Sequence, residues 1–424
     1  MEEHNNLEEK IISEAFPSVS FDEFPVTDYE KWKEEAITAL KGGSFEESLF
    51  TKTYEGITLE PVYTSEHPVV EDHEPEYPGL YDYMRGTKAS GYIKKPWTVA
   101  QAADGFIPDK VNEILKRELQ RGSDAVNITL SKETLHGKKP SFDTNSLSLC
   151  TVQDMCSALS EIPVAEKEIQ VYAGSSSSPV LALFAAEAIA NGRKDSLKSY
   201  HGCIGADPIG LLAEDGNLPC FIDELYDEMA LSIYWCNKNM PDLKTMLVRG
   251  DCYHNGGAND VQEIAYCVSA AIAYIEAMQI RGLDIDTICR HIRFSFSLGG
   301  NFFMEIAKLR AAKRIWAQIA AAYGAGDEAQ KMDIFARTSH FTETVYDPAV
   351  NILRTTSQTF SGVLGGVNSL QVTPYDDALG TSDEQSRRIA RNIQLMFQNE
   401  FDMLHPVDPA GGSWYRKTYC RTCG

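Results

Sequence analysis

The sequence predicts an α/β protein folded as a (β/α)8 TIM barrel with an N-terminal extended arm. From about residue 97, eight short strand-like segments recur with helical segments between most of them. That alternation calls for parallel pairing and closure. The competing open, doubly wound sheet would place a glycine-rich phosphate turn after an early strand. Neither GxGxxG nor GxxxxGK followed by Ser or Thr occurs.

The elements follow in chain order. Residues 1–80 hold 20 Asp and Glu against 5 Lys and Arg, so −15 of the net charge of −22 lies there. Within them, YEKWKEEAITALKG (29–42) predicts an amphipathic helix with Trp32, Ala36, Ile37 and Leu40 on one face, stopped by Gly42-Gly43. LFTKTYEGITLEPVY has strand composition, and the Pro- and acid-rich TSEHPVVEDHEPEYPG reads as a linker or extended arm. Such a segment cannot bury a core of its own. The expected organisation is an acidic arm for subunit contact (1–80), a barrel (81–415) and an irregular tail (416–424).

The predicted strands are WTVAQAA (97–103), DAVNITL (124–130), EIQVYAGS (168–175), YHGCIGAD (200–207), TMLVRGD (245–251), IRFSFSLG (292–299), MDIFART (332–338) and VNSLQVTPY (367–375). Helices are expected over 108–122, 179–192, 260–282 and 302–324. The first opens on Pro108-Asp109, closes at Gly122 and carries Val111, Ile114, Leu115 and Leu119 on one stripe.

Composition narrows the function classes. Hydrophobic residues make up 43% and charged residues 24%, as in ordinary globular chains. The acidity speaks against nucleic acid, whose binders need a basic face, and against docking on anionic membranes. No uninterrupted apolar run approaches a membrane span, and the acidic N-terminus matches no signal or transit peptide. Eight of the ten cysteines are scattered between Cys150 and Cys289, the pattern of reduced thiols in a cytoplasmic protein. The lone pair Cys420 and Cys423 is a weak metal or redox signal. With no HExxH, no HxH and no clustered carboxylates, no metal site is expected.

A barrel puts its functional residues where strands hand over to helices. GDCYHNGGAND (250–260) is the most suggestive such stretch. His254 beside Tyr253 either donates a proton to a bound carbonyl or merely hydrogen-bonds backbone. The serines 175–178 either bind phosphate or cap the following helix.

Several stretches together resemble the methylmalonyl-CoA mutase family of adenosylcobalamin-dependent acyl-CoA mutases. They are Met84-Arg85-Gly86 followed by Lys95-Pro96-Trp97-Thr98, Tyr253-His254 with Gly257-Ala258, NFFMEIAKLRAAKRIWA (301–317), DDALG (376–380), SRRIARNIQLMFQNE (386–400) and VDPAGGSWY (407–415). The resemblance implies a barrel whose axis takes the CoA thioester. It implies Arg85, Lys88, Lys95 and Thr98 as substrate or CoA contacts, and Tyr253 and His254 as catalytic candidates.

It also marks losses. Lys88 stands where a family tyrosine lies beside the substrate. Lys95 replaces the arginine that grips CoA phosphate, Ala100 a second arginine, and Ala102 a tyrosine near the substrate radical. The place of the substrate-carboxylate arginine is acidic, near Asp215. Lysine meets a phosphate as a point charge, but alanine replaces neither group.

ADPIGLLAEDGNLP (206–219) and the acidic opening resemble the small, non-catalytic subunit of the heterodimeric enzymes. The chain has no DxHxxG cobalamin motif. The expectation is therefore a small subunit, inactive alone, whose large catalytic partner brings the adenosylcobalamin. The alternatives are a mutase barrel for a different acyl-CoA with its cobalamin domain on another chain, and an unrelated barrel enzyme using His254 as an acid.

Overall fold

The computed structural model describes residues 28–64, 77–138, 146–380 and 382–413. The chain divides into two compact units, Met1–His67 and Pro68–Gly424.

The first unit holds a helix over Tyr29–Ala39, capped by the Asp28 carboxylate, and a short helix over Phe45–Leu49, capped by Ser44. A two-residue antiparallel ladder follows, Thr51–Lys52 against Thr58–Leu59. No residue of either helix is buried. Trp32, Ala36 and Leu40 of the predicted face are half-buried, while Ile37 is exposed. Trp32 meets Phe45 edge-on at 6.1 Å between ring centroids.

The second unit is the barrel. Its strands are β1 (Thr98–Val99 and Ala102–Ala103), β2 (Ala125–Ile128), β3 (Glu168–Tyr172), β4 (His201–Ala206), β5 (Asp242–Arg249), β6 (Ile292–Leu298), β7 (Ile334–Thr338) and β8 (Ser369–Gln371). All pairings in this sheet are parallel. The two halves of β1 are the two ends of the hydrogen-bonded order: Thr98–Val99 pairs with β8 and Ala102–Ala103 with β2. Because both halves belong to one six-residue stretch, the sheet closes on itself. All eight predicted strands are present, with β5 starting earlier than expected and β8 much shorter.

The outer helices are α1 (Pro108–Gln120), α2 (Val152–Ala158), α3 (Ser178–Ala190), α4 (Ile222–Asn239), α5 (Asp260–Ile280), α6 (Phe302–Ala322), α7 (Asn351–Gly365) and α8 (Glu384–Asn399). Helix α5 is long and apolar enough to cross a bilayer, but its inner face is buried against the barrel. Outward strand residues such as Val126, Ile128, Ile169, Val171 and Ile204 form one core with Ile114 and Leu115 of α1 and Leu181 and Phe184 of α3. Phe294 of β6 packs edge-on against Trp316 of α6 at 5.0 Å.

Helix α7 has an unhelical sequence, NILRTTSQTFSGVLG, rich in Thr and Gly. Packing decides it. A Cβ on Gly365 would collide with Leu309 of α6, and one on Gly362 would sit 2.7 Å from the Leu298 side chain of β6. The two glycines let α7 lie closer to both than any other residue would allow.

The motifs that carried the resemblance meet in space. Asp408 takes Arg85 Nε on one carboxylate oxygen and Arg310 Nη1 on the other, each at 2.6 Å. Trp97 donates its indole N–H to Gln394 of α8 at 3.2 Å, and Gln398 bonds the Trp97 carbonyl. Arg391 pairs with Glu118 of α1. These residues hold together the end of the barrel where strands begin. The eight described cysteines are free thiols. Cys420, Cys423 and the expected tail lie outside the described residues.

Candidate functional site

The predicted site residues fall into two groups at opposite ends of the barrel. Arg85, Lys88, Lys95 and Thr98 precede or open β1 and so lie at the lower end, where strands begin. Tyr253, His254 and Asp215 follow β5 and β4 and lie at the upper end. Ala100 and Ala102 stand between, on β1. Strands of up to eight residues separate the ends by roughly 20 Å.

At the lower end a cleft is lined by Arg85, Lys88, Tyr92, Lys95, Arg310 and Asp408. Partial burial and the neighbouring Lys95 hold the Lys88 ammonium below its ordinary range, with Asp333 and Glu168 opposing. Thr98 faces the barrel axis, where its hydroxyl donates to Glu168 Oε2 at 2.8 Å.

That contact belongs to a network that fills the lower lumen. Glu168 of β3 accepts from Thr98 of β1, from Ser369 of β8 at 2.5 Å and from Arg293 of β6 at 2.7 Å. None of these strands neighbours β3, so the bonds cross the interior. Arg293 also reaches Gln170 Oε1 at 3.0 Å and Asp333 Oδ2 at 2.9 Å, and Lys244 lies 3.6 Å from Asp333. Burial works against the Glu168 charge, but Arg293 and the two hydroxyls outweigh it and hold the carboxyl below its usual range. Asp333 is held down in the same way by Arg293 and Lys244 against its burial.

The next layer is also filled. Ala100 packs against Ala125 and Phe335, all buried. Asn127 of β2 bonds Gln371 of β8 across β1, at 2.9 Å. Side chains stacked in layers make this interior a packed core.

At the upper end, Asp251, which the sequence places at the end of a strand, instead opens a short helix, Asp251–Asn255. Arg249 lies over the Tyr172 ring at 4.1 Å. Its Nε and Nη2 hold the two oxygens of Asp251 at 3.0 and 2.7 Å, and its Nη1 reaches Glu214 at 2.8 Å. Burial opposes the Asp251 charge, but Arg249 and Arg337 keep its carboxyl far below the usual range.

His254 is buried, its Nε2 2.7 Å from Ser339 Oγ and its Nδ1 3.8 Å from Glu263. Burial, then Lys308, press its pKa down to about 4, so the ring is neutral at pH 7. Lys308 is itself locked among Asp260, Glu263 and Glu305 at 2.7–2.9 Å. Burial, then Asp207, push the Tyr253 phenol above its ordinary range. Asp215 binds Lys132 at 3.0 Å and His136 Nε2 at 2.8 Å, tying the segment after β2 to the segment after β4. At the start of α3, Ser177 occupies the cap position without a side-chain cap bond, while Ser176 Oγ accepts from the Ser178 amide at 3.3 Å.

A third upper cluster joins the loops after β7 and β8. His340 Nδ1 lies 3.0 Å from Asp377 and 3.9 Å from Glu343. Burial, then Asp377, raise the Glu343 carboxyl to about 8.

Motif reasoning missed Glu168, Arg293, Asp333, Arg249 and Glu343. One signal was available: in EIQVY and IRFSFSL, polar residues alternate with apolar ones. Parallel strands covered on both faces are ordinarily near-continuous apolar runs, so this alternation marks a polar lumen.

Adenosylcobalamin, implied by the resemblance, needs a nitrogen ligand for its cobalt. His136 and His254 do not offer one, since each has one nitrogen engaged and the other buried. Neither of these two histidines fits that role.

Residues 52–419 match the family model described as methylmalonyl-CoA mutase. The methylmalonyl-CoA mutase of Escherichia coli K12 is 32% identical over 387 residues, covering 87% of this chain and 52% of the relative. The methylmalonyl-CoA mutase small subunit of Streptomyces virginiae is 31% identical, covering 93% and 61%. That of Porphyromonas gingivalis is 29% identical, covering 95% and 62%. The relatives named as large subunits in those two organisms match at 28%. The chain thus spans between about half and six-tenths of these relatives' lengths.

Proposed function

This chain belongs to the methylmalonyl-CoA mutase family, and we propose that it acts there as a small subunit that turns over no substrate itself. Its partner is a large catalytic subunit, and the assembled enzyme interconverts methylmalonyl-CoA and succinyl-CoA with adenosylcobalamin. Overall identity hardly separates small from large relatives, at 31% against 28% in one organism. The residues carry the distinction.

The observation that weighs most is the filled lumen. A thioester that enters at Lys88 and Lys95 must pass Glu168–Arg293 and then Phe335 to reach His254; the first layer is buried and bonded across the axis, and the second is filled by packed, buried side chains. Ala100 cannot do the work of the arginine it replaces, and Ala102 cannot do that of a tyrosine beside the substrate. Where a carboxylate clamp is expected, Asp215 repels a carboxylate and is already paired. His254 has its Nε2 on Ser339.

The chemistry left to this chain is scaffolding. In this reading the concentrated negative charge of residues 1–80 supplies the contact with the large subunit, in the cytoplasm. The test is turnover and co-elution. The purified chain with adenosylcobalamin and methylmalonyl-CoA is expected to form no succinyl-CoA, and to co-elute with a co-expressed large subunit. Turnover by the chain alone overturns the reading.

A further inference from the structure

We propose that His340, Glu343 and Asp377 form a divalent-cation site on the upper face of the barrel, one that clamps the loop after β7 to the loop after β8. The proposal stands on these residues alone and does not depend on the subunit reading.

Geometry is the first support. One ligand atom from each residue lies within 4.8 Å of the others. Ligands about 2.1 Å from a tetrahedral metal sit about 3.4 Å from each other. The His340 Nδ1 separations of 3.0 Å to Asp377 and 3.9 Å to Glu343 bracket that value, and the two carboxylates lie within 4.8 Å of each other, so side-chain rotation without backbone movement is what the site requires.

The second support is independent. The Glu343 side chain is only 1% exposed, and neither of its oxygens accepts a hydrogen bond. Thr373 lies nearby, but its hydroxyl is engaged with Thr338. Asp376, beside Asp377, also buries an oxygen without a partner. A buried carboxylate without donors is costly and is relieved either by a proton or by a compensating cation. Arg337 is the nearby cation, but its side chain bonds His340 Nε2 and lies 3.4 Å from Asp251. It leaves the carboxylate pair unbonded.

The donor set defines the ion. One imidazole and two carboxylates suit a first-row divalent ion such as Mn2+ or Zn2+. His340 and Asp377 are about one-third exposed, which leaves coordination positions for water. Binding also makes a definite demand. If Nδ1 ligates, Nε2 carries the proton and no longer accepts from Arg337, which must turn fully to Asp251. Cation binding and the Arg337–His340 bond are therefore mutually exclusive.

The probe is Mn2+, which avoids the thiols, titrated into the chelator-treated full chain. Free Mn2+ is read by electron paramagnetic resonance and heat by calorimetry. One ion per chain is expected. Binding is lost in Glu343→Gln and in Asp377→Asn, a change at a half-exposed loop position that leaves the barrel core untouched. It is retained in Cys420→Ser/Cys423→Ser and tightened in Arg337→Leu. Circular dichroism confirms that each variant is folded. Failure of the wild-type chain to bind stoichiometrically overturns the proposal. So does binding that Glu343→Gln and Asp377→Asn leave unchanged.

Discussion

The two ends of the barrel lumen handle buried charge in opposite ways. At the lower end, Glu168, Arg293, Asp333, Thr98 and Ser369 satisfy one another across the axis, and none leaves a buried polar side-chain atom without a partner. At the upper end, Tyr172, His254, Arg337, Glu343 and Asp376 each leave one or more such atoms unpartnered. A saturated network behaves as core, because every charge is compensated in place. An unsaturated one is a place where a ligand or ion can still stabilise the protein. Inside the lumen the lower layer is thus a saturated core and the upper layer an unfinished polar surface; outside the lumen, Arg310, Arg391 and Gln394 at the lower end each also leave one nitrogen unpartnered.

The largest expected effect tests the closed end. Replacing Arg293 by Leu strands Glu168 as a buried carboxylate without a cation and leaves Asp333 only Lys244 at 3.6 Å, and should destabilise the barrel by about 3–5 kcal/mol. The double change Arg293→Leu/Glu168→Leu should recover part of that loss, because it removes the stranded Glu168 charge. Urea unfolding measures both. A single-variant loss below about 1 kcal/mol would show that the lumen is hydrated rather than packed.

An intermediate effect comes with acid, and each end contributes one histidine. His254 above is pressed down to about 4 by burial and Lys308. His291, which precedes β6 below, is pressed to about 3 by burial, Lys244 and Arg290. Both folded values lie under the unfolded value of about 6.5, so the unfolded chain takes up protons first. Stability is intact above about pH 6.5 and falls as the pH drops from there, by on the order of 2 kcal/mol for each histidine at pH 5, until the loss levels off below about 4 for His254 and about 3 for His291. Unfolding at pH 7, 6 and 5 should show the slope. His254→Gln and His291→Gln should each flatten it, and a slope that neither changes assigns the loss to other groups.

The smallest effect sharpens the picture of the upper end. Asp215→Ala frees Lys132 and His136. Because Lys132 is exposed, global stability should change by less than about 1 kcal/mol. Limited proteolysis should nevertheless cut faster near residues 132–138. Unchanged cleavage would mean that the segment is held by its other contacts, such as Ser131 with Ser148 at 2.8 Å.

Much of this was legible in the sequence, and the failures have physical causes. The strands were visible because β-branched and aromatic runs are local signals. Helix α7 was not, because its Thr- and Gly-rich sequence is helical only through close packing on Leu309 and Leu298. The resemblance located Lys95, Ala100 and His254 along the chain. It could not say that Arg85 and Arg310 share Asp408, or that Ala100 lies against Phe335. The His340, Glu343 and Asp377 cluster escaped the metal motifs because its ligands come from two loops separated by a whole helix.

By itself, then, the sequence determined the order of elements, the barrel class and the family, since periodicity and motif chemistry act over a few residues. The tertiary structure alone decided that the lumen is closed and where charge is left uncompensated. Those facts depend on pairs such as Glu168 with Arg293 and Glu168 with Ser369, which lie 125 and 201 residues apart. Such pairs meet only when the sheet curls round and brings non-neighbouring strands face to face.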